Sequence, residues 1–267
     1  VLDVSDPAQP VVLESSVIEG TLRSSRAIGD DVFLVTDSGL RLPDLLITDD
    51  GRYETEAAYT ARLQGQLLEL LLPNIETRNQ PGAPAASGLL SAPDDIYSPL
   101  NDDNYSQLTT VSKFDVGDNN IGVDDATGVV TDYIDEIFSS LENLYLLQGN
   151  YQFENGVDQE STQLWKINLE TSELLATGEV PGAIDNQFSV DEYNDNLRIT
   201  TTTNQFSENS LNNVFVLEQS GKQLNTIGSI EGLAPGERLF STRFNDDYGF
   251  AVTFRQIDPL FTLDLSN

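Results

Sequence analysis

Short runs of alternating residues return along this chain at a near-constant spacing. Gln163–Leu169, Glu173–Val180, Gln187–Val190 and Leu197–Thr203 form one set of four, and Val214–Leu217, Leu224–Ile230, Leu239–Phe244 and Tyr248–Phe254 form another. Each is rich in β-branched and aromatic residues and is bounded by Gly, Asn, Asp or Pro, as strands between turns are. Val1–Val4, Lys113–Val116, Lys166–Leu169, Val214–Leu217 and Phe261–Leu265 align as the first strand of each set. The last four begin 53, 48 and 47 residues apart.

A repeat of about 40–50 residues carrying four strands is the sequence pattern of a β-propeller blade. The turns keep the same beat: Gly29–Asp31, Asn194–Asn196 and Asn245–Asp247 each precede what reads as the last strand of a set. The expected fold is all-β, a propeller of four-stranded antiparallel blades, with about four blades of a larger ring in this segment. The first interval, 112 residues, is too long by about one blade, and the excess reads differently. Glu54–Leu72 has helical spacing, Thr55 near its start and Pro73 at its end, which predicts one amphipathic helix. Gly82–Asn104 lacks periodicity and reads as an irregular loop. The expected organisation is a blade at 1–39, a helix-plus-loop insertion at 40–105, then three further blades and the first strand of the next over 106–267. Bare edges of such an arc need a cover, from other residues, a second copy or a partner chain.

Composition excludes several chemistries. The 267 residues include no Cys, His or Met. That removes thiol nucleophiles, zinc–thiolate sites, disulfides and imidazole general bases. With 44 acidic against 13 basic residues the net charge is −31. Such a surface repels phosphate backbones and anionic membranes, so neither nucleic acid nor lipid is an expected partner. No apolar run reaches membrane-spanning length and no signal peptide is visible in this segment. A start at Val1 rather than Met leads us to expect a processed or excised piece of something longer.

Several stretches carry a family likeness. Gly178–Gly182 with Asn186–Tyr193, Gly232–Arg238, and Val252–Phe261 running into Leu263–Ser266 resemble a bacterial and archaeal family of secreted β-propellers distantly related to WD40 proteins. Leu2–Pro7, Ile28–Thr36 and the helical stretch Glu54–Leu72 look like further parts of it, so the resemblance covers nearly the whole chain. It implies an extracellular or cell-surface setting and a longer parent chain. It brings no established catalysis and therefore no catalytic residues.

The clearest candidate for chemistry is the acidic stretch Asp115, Asp118, Asn120, Asp124 and Asp125, with glycines at 117 and 122. Alternating Asp and Asn around Gly can supply the six to eight hard oxygens that Ca²⁺ takes, although the spacing is not that of an EF-hand. The same residues are also ordinary turn formers. Calcium is the one candidate cofactor. Asp94 and Asp95, with Asn101–Asn104, form a second acidic group in the insertion, which also reads as a solvated loop. Trp165 and Tyr193 are candidates for stacking on a sugar, against packing between blades. In Gly232–Arg238, Pro235-Gly236 suits a type II turn, and Arg238 is a candidate for an ion pair between blades.

The function expected from these readings is a non-enzymatic extracellular scaffold that binds a protein or other ligand through its loops. The alternatives are a structural subunit of an extracellular assembly, pairing with copies of itself, and a carboxylate-based hydrolase.

Overall fold

Two-residue hairpins organise the sheets. In the computed structural model, which describes residues 1–40, 42–99, 105–117, 122–154, 157–205, 207–254 and 260–266, Ile28 pairs with Asp31, Tyr193 with Asn196 and Asn245 with Tyr248. The turn residues take left-handed backbone angles: φ is 62° at Gly29, 51° at Asn194, 64° at Asp195 and 47° at Asp246. Asn and Asp tolerate that region because their short polar side chains bond locally, and its twist matches that of the flanking strands. The chain forms two compact units, Val1–Asp132 and Tyr133–Asn267.

The first unit holds β1 (Leu2–Asp3), β2 (Val11–Val12), β3 (Ser15–Ile18), β4 (Thr21–Ile28) and β5 (Asp31–Gly39). Helices α1 (Glu56–Leu63) and α2 (Leu67–Leu71) follow, then β6 (Asn74–Arg78), β7 (Ala86–Leu89), β8 (Ile96–Tyr97), β9 (Gln107–Asp115) and β10 (Asp125–Thr131). Its main sheet runs β4-β5-β9-β10, antiparallel, with β8 added parallel to β10. Phe33, Val35, Leu108, Val111, Ala126 and Val129 are buried apolar residues of this sheet. The register Asp31↔Asp115 through Gly39↔Gln107 joins β5 to β9 directly. The insertion therefore sits inside one four-stranded sheet, between its second and third strands, instead of after a complete blade at residue 39. Part of it returns to build a small sheet, β3-β6-β7.

Two local expectations change here. The single helix over Glu54–Leu72 is two helices, because Gly65 takes φ 84° and breaks the ladder between them. Thr55 does cap the first, its hydroxyl accepting from the Ala58 amide. The irregular stretch after Gly82 contains β7, a 3₁₀ turn at Pro93–Asp95 and β8.

The second unit holds β11 (Glu136–Ser139), β12 (Asn143–Glu154), β13 (Val157–Asn168), β14 (Leu174–Pro181), β15 (Ala183–Ile184), β16 (Val190–Tyr193), β17 (Asn196–Thr203), β18 (Leu211–Ser220) and β19 (Gln223–Leu233). It ends with β20 (Arg238–Asn245), β21 (Tyr248–Phe254) and β22 (Leu260–Asp264). Antiparallel pairing gives β11-β12-β13-β14, then β16-β17-β18-β19 with β15 also on β17, then β20-β21-β22. One parallel bridge, Thr177↔Gln223, links β14 to β19. Tyr145, Leu147, Leu164, Val180, Leu197, Ile199, Phe215 and Leu217 pack as one core between the first two of these sheets.

The repeat thus has the expected period and a different phase. Lys113, Lys166, Val214 and Phe261 lie on β9, β13, β18 and β22, each the third strand of its sheet and not the first. The Gly29, Asn194 and Asn245 turns join first to second strands. Gln187–Ser189, expected as part of a strand, is a 3₁₀ turn that leads the chain into the next sheet. Alternation marks where strands are but not which connection changes sheet.

Candidate functional site

A long hairpin builds the cleft. β12 and β13 are 12-residue strands paired from Asn143↔Asn168 to Glu154↔Val157. Their outer neighbours are shorter: β11 pairs with β12 only over Leu144–Leu147, and β14 pairs with β13 only from Ser161 onward. The far half of the hairpin therefore extends past the sheet. Beside it lies a cleft of about 570 Å³ lined by residues of the hairpin, by Glu179 to Pro181 of β14, and by Thr203 and Asn204 at the end of β17.

Its floor is held by backbone. The Gly182 amide donates to the Glu160 carbonyl at 2.7 Å, the Thr162 hydroxyl donates to the Gly182 carbonyl at 2.7 Å, and the Thr201 hydroxyl donates to the Pro181 carbonyl at 2.6 Å. Gly182 has φ 88°, and a Cβ there would lie 2.9 Å from the Thr202 carbonyl, so only glycine lets β17 approach this closely. The long hairpin was not singled out in the sequence. Asn155-Gly156 between two alternating runs is the signal that marks it.

The cleft is polar and acidic. Its uncharged polar lining is amide and hydroxyl, from Asn150, Gln152, Gln159, Ser161, Thr203 and Asn204, and its charged residues are Glu160 and Glu179. Glu160 is half-buried, and its Oε2 is fully buried without a hydrogen-bond donor among the described residues. Nearby groups feel the same negative charge. Burial first, and then the charges of Asp135 and Glu160, push the Tyr151 phenol up, although Gln205 donates to its oxygen at 2.9 Å. Burial, Asp135 and Asp185 likewise push the Glu136 carboxyl up.

A second polar cluster is internal. Glu192 on β16 accepts from Tyr145 Oη at 2.6 Å and from Asn143 Nδ2 at 2.9 Å, and pairs with Lys166 Nζ at 3.2 Å. Burial raises the Glu192 carboxyl, but donors from Ser140, Tyr145 and Asn143 and the Lys166 charge outweigh it, leaving it below the usual range. Burial and Glu192 push the Tyr145 phenol up. With the Glu192 carboxylate of one sheet taken up by donors of the other, this cluster fastens two sheets together.

The sequence candidates fall elsewhere. Asp118 and Asn120 lie outside the described residues, as do Asn101–Asn104. Asp115 accepts from the Gly117 amide at 2.8 Å, Asp124 from the Asp115 amide at 2.6 Å and Asp125 from the Ala126 amide at 2.9 Å. These carboxylates tie the β9–β10 connection to itself, as Asx turns do. Among the described residues no three acidic side chains are grouped to hold a metal ion. Asp94 and Asp95 sit in the 3₁₀ turn before β8.

Trp165 is buried in β13 and offers no exposed platform. The Tyr193 ring lies 4.6 Å from the guanidinium of Arg198, which also donates to Asp191 and to the Asp246 carbonyl on the next sheet. Arg238 reaches Asp185 at 3.7 Å, an ion pair between successive sheets, with the Arg side chain 80% exposed. Pro235-Gly236 forms the expected type II turn, with Gly236 at φ 77° and the Glu237 amide on the Ala234 carbonyl.

Comparison with known proteins adds the family. An uncharacterized protein of Methanocaldococcus jannaschii is 38% identical over 120 residues, 44% of this chain and 19% of that one. One from Archaeoglobus fulgidus is 42% identical over 118 residues, 44% of this chain and 18% of that one. The aligned segment thus spans under a fifth of the curated relatives it matches. Among solved structures, the β-propeller domain of the Trilobed protease from Pyrococcus furiosus aligns over 91% of this chain and 81% of that one, at 10% identity and a TM-score of 0.31. Pyrococcus horikoshii acylaminoacyl peptidase aligns over 91% and 45%, at 10% identity and a TM-score of 0.32. The sequence profile of the β-propeller domain family matches residues 1–267, and with its succession of antiparallel sheets the chain belongs to that family.

Proposed function

We propose that this chain is a non-catalytic binding module whose recognition site is the cleft beside the β12–β13 hairpin. The observation that carries this reading is the cleft itself: a concave space of about 570 Å³, lined by amides, hydroxyls and carboxylates, on a backbone floor fixed by Gly182. Ligand sites commonly occupy about 300–1,000 Å³. Rigid sheets with projecting loops are suited to display such a site. Glu192, the one acid described in the internal cluster, is taken up by its own partners, which supports binding over chemistry on a substrate there.

The test is a selection of random linear peptides on the immobilised chain, followed by Ser161→Arg, which fills the cleft. Selected peptides should be recovered intact and should lose binding to the variant while its melting temperature is unchanged. Undiminished binding, or cleavage of the peptides, contradicts the proposal. An extracellular or cell-surface setting is part of it, resting on the family resemblance and the acidity. Protection from protease added to intact cells contradicts that part.

A further inference from the structure

We infer that the chain cross-links itself, Lys166 of β13 joining the side chain of Asn143 of β12 in an amide bond, with Glu192 of β16 carrying the protons. The reaction happens once per chain and has no outside substrate, so it stands apart from the binding site and does not depend on it.

Placement comes first. In the β12–β13 ladder Tyr145 pairs with Lys166 and Asn143 with Asn168. Residues two apart on a strand share a face, so Asn143 and Lys166 are diagonal neighbours, a spacing that a long side chain spans. One oxygen gathers them: Glu192 Oε1 lies 3.2 Å from Lys166 Nζ and 2.9 Å from Asn143 Nδ2. The Lys166 and Glu192 side chains are each 6% exposed and Asn143 is 5% exposed, so water is kept from all three. Aromatic rings close the surroundings, with Nζ 5.8 Å from the Tyr145 ring centre and the Phe138 ring 6.0 Å from that of Tyr145.

The chemistry needs a neutral amine and a polarised amide. In the ion pair Lys166 holds the proton, and the acid that can take it is within hydrogen-bond reach. Moving one proton from Nζ to Glu192 leaves the net charge unchanged and turns two buried charges into two neutral groups, an exchange that burial assists. Asn143 Oδ1 is buried and has no hydrogen-bond partner among the described residues. Turning the amide over brings this oxygen to the protonated carboxyl, which donates to it and polarises Cγ. The Nζ lone pair then forms the bond to Cγ, and the bond from Cγ to Nδ2 breaks. Two of the three Nζ protons pass through Glu192 to Nδ2, which leaves as ammonium; the new amide keeps the third. No oxidant or cofactor enters the balance.

The product has a use in this fold. With no Cys the chain cannot staple its strands with disulfides. The amide would fix the base of the long hairpin, whose far half walls the cleft.

The experiment is the intact mass of the denatured full chain, followed by tandem mass spectrometry of a digest. The chain should weigh less than its sequence by one ammonia, and the digest should contain the Asn143 and Lys166 peptides joined. Lys166→Arg and Glu192→Gln should each restore the sequence mass. Asn143→Asp, which loses water instead, should end at the mass of the cross-linked wild type. Should Glu192→Gln fail to fold, the wild type and Lys166→Arg still decide. A wild type at its sequence mass would overturn the inference. So would a loss of ammonia that survives in Lys166→Arg, whose source would be a succinimide at an asparagine. A joined peptide that persists in folded Glu192→Gln would overturn the part assigned to Glu192.

Discussion

Glu192 on β16 and Lys166 on β13 meet at 3.2 Å with both side chains only 6% exposed, so the charge of one sheet is neutralised by the next. Tyr145, Asn143 and Ser140 also donate to Glu192. Removing one partner of a buried pair leaves the other charge without compensation. Glu192→Gln should therefore destabilise the chain by about 3–5 kcal/mol. The double change Glu192→Leu with Lys166→Met should cost clearly less. Urea unfolding of the three proteins measures both; an equal cost would mean that Lys166 does not depend on Glu192.

The same pair gives a pH dependence of known sign. The folded Glu192 carboxyl lies below its ordinary 4.5, so it contributes stability at pH values above that figure and loses it as pH falls through the lower folded value. Asp37 has the opposite sign. Burial raises it above 3.8 despite the Thr109 hydroxyl and Arg23, so its contribution is complete below 3.8 and is lost as pH rises through the higher folded value. Wild type minus Glu192→Gln stability should shrink on acidification, and wild type minus Asp37→Asn should grow. Chemical unfolding across the acid range reads both differences.

Glycines at contacts between sheets should be selective. A Cβ on Gly178 would stand 2.7 Å from Leu224 Cβ and 3.0 Å from the Leu224 carbonyl, whereas one on Gly228 meets only Val216 Cβ at 4.0 Å. Gly178→Ala should cost about 1–3 kcal/mol. Gly228→Ala should stay within about 0.5 kcal/mol of wild type. Thermal unfolding of the two variants distinguishes local crowding from a general intolerance of side chains on these strands.

How much of this was legible before the fold is clearest at particular residues. Asn194-Asp195 and Pro235-Gly236 declared their turns, because left-handed backbone demands Gly, Asn or Asp and few other residues. The phase of the repeat was hidden, since Lys166 looks the same at the start of a sheet as in its third strand. The insertion looked terminal to a blade because β5 and β9 pair across more than sixty intervening residues, which no local pattern records. Gly65 broke a helix whose apolar spacing continued through it. At the site, Glu192 and Glu160 are two among 44 acidic residues, and only folding sets one against a lysine and leaves an oxygen of the other without a donor.

The acidic β9–β10 connection should behave as a turn. Asp124 accepts from the Asp115 amide, so Asp124→Ala should cost about 1–2 kcal/mol. The cost should be the same in calcium and in chelator. A cost that appears only with calcium present would restore a cation to this loop.

The most direct measurement of the binding site is amide hydrogen exchange of the full chain with and without a peptide from the selection. Slowed exchange is expected at Gln159–Ser161 and at Asn204, which line the cleft, with the β20–β22 sheet and the insertion unchanged. Protection confined to those other regions, with the cleft residues exchanging as in the free chain, would contradict the assignment of the cleft as the site.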